Sequence, residues 1–226
     1  MSKLSANLQK GLVGHWTMDD RDTDNGMLRD RSAYGNDGSI EGPITDQGGI
    51  VGESFEFNGG ETDGDVVKTE LSPADIDDNT VTFSSWLYTY DNEKRQKIIT
   101  GYTDATDDRW DIEIRDALLQ FNAWNYDSIV GDTQFTQESW LHVSAVWEPG
   151  EEVILYIDGD EDGRGSQELN SLDDGGDISI GRRTYQQRDE PSWDGRIDDV
   201  RIYNRALSES EIEALYNMRS QRTSNI

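Results

Sequence analysis

The chain contains no cysteine, so disulfide bridges and thiolate metal sites are excluded. Its two histidines, His15 and His142, form neither a metal-binding pair nor the spacing of a Ser-His-Asp triad. No apolar run approaches the length that crosses a membrane, and residues 1–10 lack the apolar segment of a secretory signal. The sequence therefore predicts a protein without membrane insertion and without a signal peptide.

Basic residues are scarce. The chain has 20 Lys and Arg residues against 47 Asp and Glu residues, which gives a net charge of −27. Nucleic-acid binding is disfavoured, because phosphate contacts need a basic face, and an anionic membrane surface is disfavoured for the same reason. The acids are spread over the whole chain and lysine is rare, a pattern typical of adaptation to molar salt, where the Debye length of about 3 Å screens self-repulsion.

Short alternating apolar runs predict strands along the chain and a single helix at its C-terminus. Ser208 and Glu211 form an S-x-x-E capping box at the start of that helix. Proline is also scarce, with four residues, and no Pro/Gly/Ser-rich linker divides the chain, so one all-β domain is expected. The predicted strands are 11–18, 54–57, 80–88, 110–114, 118–124, 140–147, 153–157 and 178–181, with a hairpin turn at 115–117.

The last predicted strand contains an irregularity. Ile197 is out of phase with Val200 and Ile202 for a strand in which alternate residues share a face. A β-bulge at Asp198 and Asp199 would restore the phase and direct the two carboxylates differently.

Six segments in order carry a family resemblance. They are Gly11–Trp16, the loop Asp30–Gly38, Phe55–Val67, Trp140–Trp147, Leu155–Gly159 and Gly195–Tyr216. Together they closely resemble laminin-G-like domains of the concanavalin A-like lectin/glucanase superfamily. The resemblance implies a jelly-roll β-sandwich of two antiparallel sheets with a short C-terminal helix over residues 11–218. Residues 1–10 are then expected to be a lead that docks to a partner, and 219–226 a tail.

The resemblance also implies a calcium ion that ties loops at the edge of the sandwich. Calcium takes six to eight oxygen ligands, which loops near both termini can supply together. The alternative is that these side chains cap turns by accepting backbone hydrogen bonds. The expected ligands are Asp30, Asn36, Asp63, Asp65, Asp198 and Asp199.

Aromatic residues beside polar ones indicate a carbohydrate-binding face, because aromatic rings stack on sugars while polar groups bind hydroxyls. The predicted face is Arg109, Trp110, Asn122, Trp124 and Asn125, with packing in the core as the alternative for its tryptophans. The tryptophans at family strand positions are expected in the core, namely Trp16, Trp86, Trp140 and Trp147, whereas Trp193 is open to either interpretation.

Two acidic patterns invite other interpretations. Asp111 and Glu113 project from one strand face about 7 Å apart, as in paired catalytic carboxylates. Their order is not the Glu-x-Asp-x-x-Glu of related glucanases, and Arg115 on the same face is expected to neutralise them. Residues 158–163 resemble the start of an EF-hand loop, but position 12 is Leu169 and a strand precedes the loop, so an acidic turn is expected.

The resulting hypothesis is a non-catalytic, lectin-like recognition module from a halophilic system. A virion surface protein, such as a capsid decoration, turret or tail component that binds host glycans, needs no export signal because virions leave by lysis. The expected partners are a glycan or glycoprotein surface and other proteins of a larger assembly. The chain is also expected to form homo-oligomers. The alternatives are a purely structural assembly protein, a module of a secreted glycoside hydrolase, and a fragment of a secreted multidomain protein.

Overall fold

Two antiparallel sheets pack face to face in the computed structural model of the chain. The structure describes residues 7–42, 45–60, 64–72, 76, 80–102, 109–123, 127–148, 151–166, 178–182 and 192–218. Within these residues the first sheet has eight strands and the second has nine. The predicted jelly-roll sandwich with a short C-terminal helix is therefore confirmed.

The strands of the eight-stranded sheet are β1 (Leu12–Trp16), β5 (Thr45–Gly48), β6 (Glu53–Asn58), β8 (Val81–Thr89), β13 (Trp140–Trp147), β14 (Glu152–Ile157), β15 (Asp160–Ser166) and β17 (Asp194–Tyr203). Their order is β15-β14-β13-β8-β17-β6-β5, and β1 pairs with β17.

The strands of the nine-stranded sheet are β2 (Thr23–Asp24), β3 (Met27–Leu28), β4 (Gly38–Glu41), β7 (Val66–Thr69), β9 (Gln96–Tyr102), β10 (Arg109–Arg115), β11 (Leu118–Ala123), β12 (Ile129–Gln134) and β16 (Ile178–Ile180). Their order is β12-β11-β10-β9-β16-β7-β4-β3-β2. A short 3₁₀ turn, Asp20–Asp22, precedes β2.

Alternation along the strands builds the core between the sheets. In β8, Val81, Phe83 and Leu87 point into it, as their period-2 spacing predicts. Trp16 and Trp147 are fully buried there, as expected, and Trp193 joins them.

Trp86 and Trp140 were expected in that core, but neither side chain lies there. Both lie on the opposite face of the eight-stranded sheet, because Leu87 and Val143 take the inward positions of their strands. Trp86 is still buried, against Tyr216 of the C-terminal helix, with ring centroids 5.7 Å apart. Trp140 is half-buried.

The C-terminal helix, α1 (Glu209–Asn217), covers part of the outer face of the eight-stranded sheet. Its capping box is present as predicted, and the Ser208 amide donates to Glu211 Oε2 at 3.0 Å. A second, smaller core lies beneath it, formed by Leu8, Leu12, Val146, Tyr156, Tyr203, Leu207, Ile212 and Leu215. No helix in the described ranges is long and apolar enough to cross a membrane.

The predicted bulge in β17 is confirmed. The register with β8 shifts between Asp198 and Arg201, and Asp199 adopts a positive φ of 52°. Ile197, Val200 and Ile202 consequently all reach the main core. The bulge therefore separates the directions of two adjacent carboxylates.

Candidate functional site

Three residues of the predicted carbohydrate-binding face, Arg109, Trp110 and Asn122, lie on β10 and β11 of the nine-stranded sheet. Asn122 pairs with Asp111, which pairs in turn with Thr100, and Thr100 pairs with Ser179. This row is on the outer face, because the intervening residues Ile112 and Phe121 point into the core. Asn122 Nδ2 donates to Asp111 Oδ1 at 2.8 Å, so the row is linked across strands.

Trp110 does not lie on that outer face. It is 4% exposed and belongs to the main core, where a β-carbon at Gly101 would lie 2.3 Å from its indole nitrogen. The glycine leaves room for the ring against the neighbouring strand, so packing, the alternative interpretation, applies to Trp110. Its ring is not open for stacking on a sugar.

The other members of the predicted face are only partly visible. Asn122 is half-buried and also accepts a hydrogen bond from Ser128 Oγ at 2.5 Å. Arg109 begins β10, but its side chain lies outside what the structure describes, as do Trp124 and Asn125 entirely. The structure thus places Asn122 on an outer surface and leaves these three residues as predictions.

Asp111 and Glu113, the pair that suggested catalysis, share the outer face and are held by a buried lysine. Lys97 Nζ lies 2.7 Å from Asp111 Oδ2 and 2.5 Å from Glu113 Oε2, and its side chain is 0% exposed. Arg95 Nε approaches the same Glu113 oxygen at 2.7 Å. Arg115 was predicted to be the neutralising cation, but its Nε lies 3.8 Å from Asp116 on an exposed turn. The lysine directly before Ile98 and Ile99 was the signal that could have identified the partner.

Asp30 organises its own loop. Its Oδ1 accepts the amides of His15 and Ser32 at 2.8 and 2.7 Å, and its Oδ2 accepts the amide of Asn36 at 2.8 Å. The Asn36 side chain donates to the carbonyl of Val13 at 2.8 Å. Both residues therefore match the turn-capping alternative to calcium ligation.

Asp65 also accepts hydrogen bonds from a nearby residue of the chain. It is 1% exposed, and its Oδ2 accepts both the backbone amide and the side-chain amide of Asn58, at 2.9 and 3.0 Å. Asp63 lies outside the described residues.

Asp199 is balanced by cationic and polar groups. His15 Nε2 lies 2.8 Å from its Oδ1, and Arg201 Nε and Nη2 donate to its two oxygens at 3.1 Å. Burial acts to raise the pKa of Asp199, but the charge of Arg201 and the contact with His15 outweigh it and hold that pKa well below its usual range. Asp199 is therefore a charged, paired carboxylate.

Asp198 points away from Asp199 across the bulge, and only one of its two carboxylate oxygens accepts hydrogen bonds within the described residues. Its Oδ2 accepts the amides of Ile50 and Val51 at 2.6 and 2.8 Å, whereas its Oδ1 is buried without a hydrogen-bond partner among the described residues. Burial raises the pKa of Asp198 to about 8, and the nearby charges of Asp199 and Asp19 add to the effect.

Those predicted calcium ligands that the structure describes do not form one cluster. Asp30 and Asp199 are brought together through His15, by its backbone amide and its ring respectively, whereas Asp65 contacts Asn58. In the described part of the chain, no three acidic or histidine side chains converge as a metal site. Among the predicted ligands that the structure describes, only Asp198 has a buried side-chain oxygen without a hydrogen-bond partner.

The sequence matches a laminin-G-type family model described as the concanavalin A-like lectin/glucanases superfamily, over residues 58–213. The chain belongs to this superfamily.

Among curated proteins, Paraclostridial mosquitocidal protein 1 of Paraclostridium bifermentans is 31% identical over 87 residues, which cover 38% of this chain and 7% of that protein. The solved binding domain of that protein has a TM-score of 0.71 at 17% identity and covers 95% of this chain and 53% of its own. This chain thus spans only about half of that binding domain and a small part of the whole protein.

Two further solved structures share the fold. Domain 4 of AbnA, an extracellular GH43 arabinanase from Geobacillus stearothermophilus, was solved in complex with arabinotriose. It has a TM-score of 0.68 at 18% identity, with 91% of this chain and 98% of that domain covered. The binding domain of botulinum neurotoxin DC in complex with SialylT has a TM-score of 0.69 at 17% identity, with 94% and 52% covered.

Proposed function

We propose that this protein is a non-catalytic, lectin-like recognition module that binds carbohydrate on a glycan-bearing surface. Its superfamily is named for lectins and glucanases, so recognition and hydrolysis are the two activities to weigh. The likeness to an AbnA domain solved with arabinotriose supports recognition, because this chain matches almost that entire domain.

The buried ion-pair centre at Lys97 is the observation that carries the proposal. A glycosidase needs one carboxylic acid that can protonate the leaving oxygen and a second carboxylate free to act as base or nucleophile. Here Lys97 bridges Asp111 and Glu113, and Arg95 adds a second cation at Glu113. Both carboxylates are at most 5% exposed. Because Lys97 and Arg95 pair with these carboxylates, neither is free to act as a catalytic acid or base, which favours carbohydrate binding over hydrolysis.

A binding panel with a parallel hydrolysis assay tests the proposal. The protein, in molar potassium chloride, is titrated calorimetrically with arabinotriose, maltotriose and cellotriose and applied to an array of surface glycans. Binding of at least one glycan without release of shorter products is expected. Cleavage of any substrate, or no binding across the whole panel, would contradict it, and ordered oligomers without glycan binding would favour a structural assembly protein.

The biological setting that we propose is the surface of a virion from a halophilic host, where the module forms homo-oligomers and also contacts other proteins of the assembly. The support is the net charge of −27 together with five lysines among the 20 basic residues. Purified particles should carry the protein, and a signal peptide in the native gene would argue instead for a secreted protein.

We further propose Asp198 as the carboxylate that would hold calcium. Its unpartnered, buried Oδ1 fits a cation, whereas the oxygens of Asp30 are taken by backbone donors and Asp199 is paired with Arg201. Melting temperatures of the wild type and Asp198→Asn should be compared in calcium and in EDTA. A calcium-dependent increase that the variant loses is expected; equal wild-type melts would refute calcium binding.

A further inference from the structure

A row of aromatic and charged side chains crosses the outer face of the eight-stranded sheet, beside the area that α1 covers. The strand register pairs Trp140 with Tyr88, Tyr88 with Arg196, and Arg196 with Glu56. The row therefore crosses the four adjacent strands β13, β8, β17 and β6. Three strand spacings correspond to about 14 Å, a length that can contact more than one ring of an oligosaccharide.

The row points away from the main core. The chain neighbours Leu87 of Tyr88, Ile197 of Arg196 and Phe55 of Glu56 are all buried between the sheets. Successive residues of a strand face opposite sides, so Tyr88, Arg196 and Glu56 face outwards. Tyr88, Tyr90, Trp140, Arg196 and Glu56 are all half-buried, which leaves part of each side chain in contact with solvent.

The rings form one connected surface. The ring centroids of Tyr88 and Trp140 are 5.5 Å apart with planes at 55°, and those of Tyr88 and Tyr90 are 5.5 Å apart with planes at 82°. The Arg196 guanidinium lies 5.0 Å from the centroid of Tyr88. These contacts hold the three rings in fixed relative orientations, which lowers the entropy cost of using them to bind a ligand.

A donor and an acceptor are fixed beside the rings. Arg196 Nε donates to the Tyr90 hydroxyl at 3.1 Å, and that hydroxyl donates to Glu56 Oε1 at 3.2 Å. Arg196 Nε lies 3.9 Å from Glu56 Oε2, and the two side chains are 25% and 23% exposed, respectively. The remaining guanidinium N–H groups and the second carboxylate oxygen can reach a ligand at the surface.

We propose that this row, which we call the Trp140 row (Trp140, Tyr88, Tyr90, Arg196 and Glu56), is a sugar-binding surface selective for uncharged oligosaccharides. Apolar sugar faces pack on aromatic rings, and hydroxyl groups bind donors and acceptors set side by side. Arg196 is paired with Glu56, so the row carries no net positive charge that would attract an anionic sugar. The inference rests on the proposed recognition function and assigns a location and a ligand class to it.

Substitution of Trp140 tests the location. Trp140→Ala should weaken binding of whichever neutral trisaccharide the wild type binds, among arabinotriose, maltotriose and cellotriose, by about tenfold or more in calorimetric titration. Tyr34→Ala is the matched control, because Tyr34 is 61% exposed and lies outside the row, so that variant should bind like the wild type. Tyr90→Phe removes only the hydroxyl between Arg196 and Glu56 and should weaken binding several-fold while preserving the packing.

The possible results distinguish a failure of the Trp140 row from a failure of the proposed recognition function. A wild type that binds no glycan contradicts the proposed function. A wild type that binds, with folded Trp140→Ala and Tyr90→Phe variants that bind equally well, overturns the Trp140 row and leaves recognition intact. Tighter binding of sialyllactose than of every neutral trisaccharide would overturn the selectivity for uncharged sugars.

Discussion

Lys97 is the residue whose environment departs furthest from that of an ordinary surface charge. It is completely buried on the outer face of the nine-stranded sheet, with a carboxylate from each of two positions of β10 bound to its ammonium group. Removal of one member of a buried ion-pair set is strongly destabilising, because the remaining charges stay buried without compensation. Lys97 is therefore a structural cation that is ion-paired with both nearby carboxylates.

The substitution Lys97→Met is expected to lower the free energy of unfolding by about 3–5 kcal/mol, since it leaves Asp111 and Glu113 with unbalanced buried charge. Denaturant unfolding in molar salt measures the effect.

Lys68→Met serves as the matched control for that prediction. Lys68 pairs with Glu41 at 2.7 Å, but its side chain is 35% exposed, so its loss should cost no more than about 1 kcal/mol. Similar losses in the two variants would show that burial of Lys97 has no special consequence.

At the scale of elements, helix α1 depends on a single carboxylate at its start. Glu211 accepts hydrogen bonds from Arg205 Nη2 at 2.8 Å and from the Ser208 amide at 3.0 Å. The bond from Arg205 is the main reason that the pKa of Glu211 is lowered to about 2, and the Ser208 amide adds to it. Arg205 also donates to the carbonyls of Asn7 and Lys10, so this cluster joins the helix to the N-terminal segment.

The pH dependence of this cluster follows from the direction of that shift. The folded-state pKa of Glu211 is about 2, below its ordinary value of 4.5, so its contribution to stability is complete above pH 4.5 and is lost as pH falls towards 2. Glu211→Gln should be less stable than the wild type by about 1 kcal/mol at pH 7. Hydrogen exchange of residues 209–217 should show this difference shrinking between pH 4.5 and 2. A difference that is constant over that range would contradict the assignment.

The β17 bulge is the second element whose geometry fixes the environment of charged side chains. Its positive-φ residue, Asp199, faces His15 and Arg201, while Asp198 faces the amides of the 50–51 segment. The phase of Ile197, Val200 and Ile202 predicted the bulge, because only an extra residue allows all three to reach the core. Which carboxylate would be paired and which left with an open oxygen depended on neighbours distant in sequence.

At the scale of the whole molecule, acidic side chains line the surface grooves. A groove of ≈ 620 Å³ between the β14–β15 turn and α1 is lined by five carboxylates, those of Asp158, Asp160, Glu161, Glu209 and Glu213. Another, beside β14, is lined by Glu148, Glu151 and Glu152. Like charges so arranged repel one another unless salt screens them.

The melting temperature should therefore rise between about 10 mM and about 1 M potassium chloride, as the Debye length falls from about 30 to 3 Å. For a domain of this size, each 1 kcal/mol of screening corresponds to about 2–4 °C. The triple substitution Asp160→Asn, Glu209→Gln, Glu213→Gln removes groove carboxylates and should reduce the salt dependence. Equal melting points at the two salt concentrations would refute the halophilic interpretation.

Local patterns in the sequence were sufficient for the predicted strands, the capping box and the bulge, because each follows from residues within a few positions of one another. They missed β2, β3, β4, β5, β7, β9, β12 and β15. The acidic turn expected at 158–163 was wrong beyond its first two residues, since β15 begins at Asp160. Period-2 alternation also placed Asp111 and Glu113 on one face of β10. Strand pairing supplied their partner, Lys97, since register is a property of two strands and not of one.

The sequence by itself determined the fold, the acidic character and the family of this protein, because period-2 alternation, ordered motifs and composition are written along the chain. Only the tertiary structure decided that Trp110 is buried, that Trp140 faces outwards and that Asp198 keeps an open oxygen. The physical reason is that alternation assigns residues to two faces of a strand, whereas the packing of the second sheet, and of helix α1 on the outside, determines which face is buried.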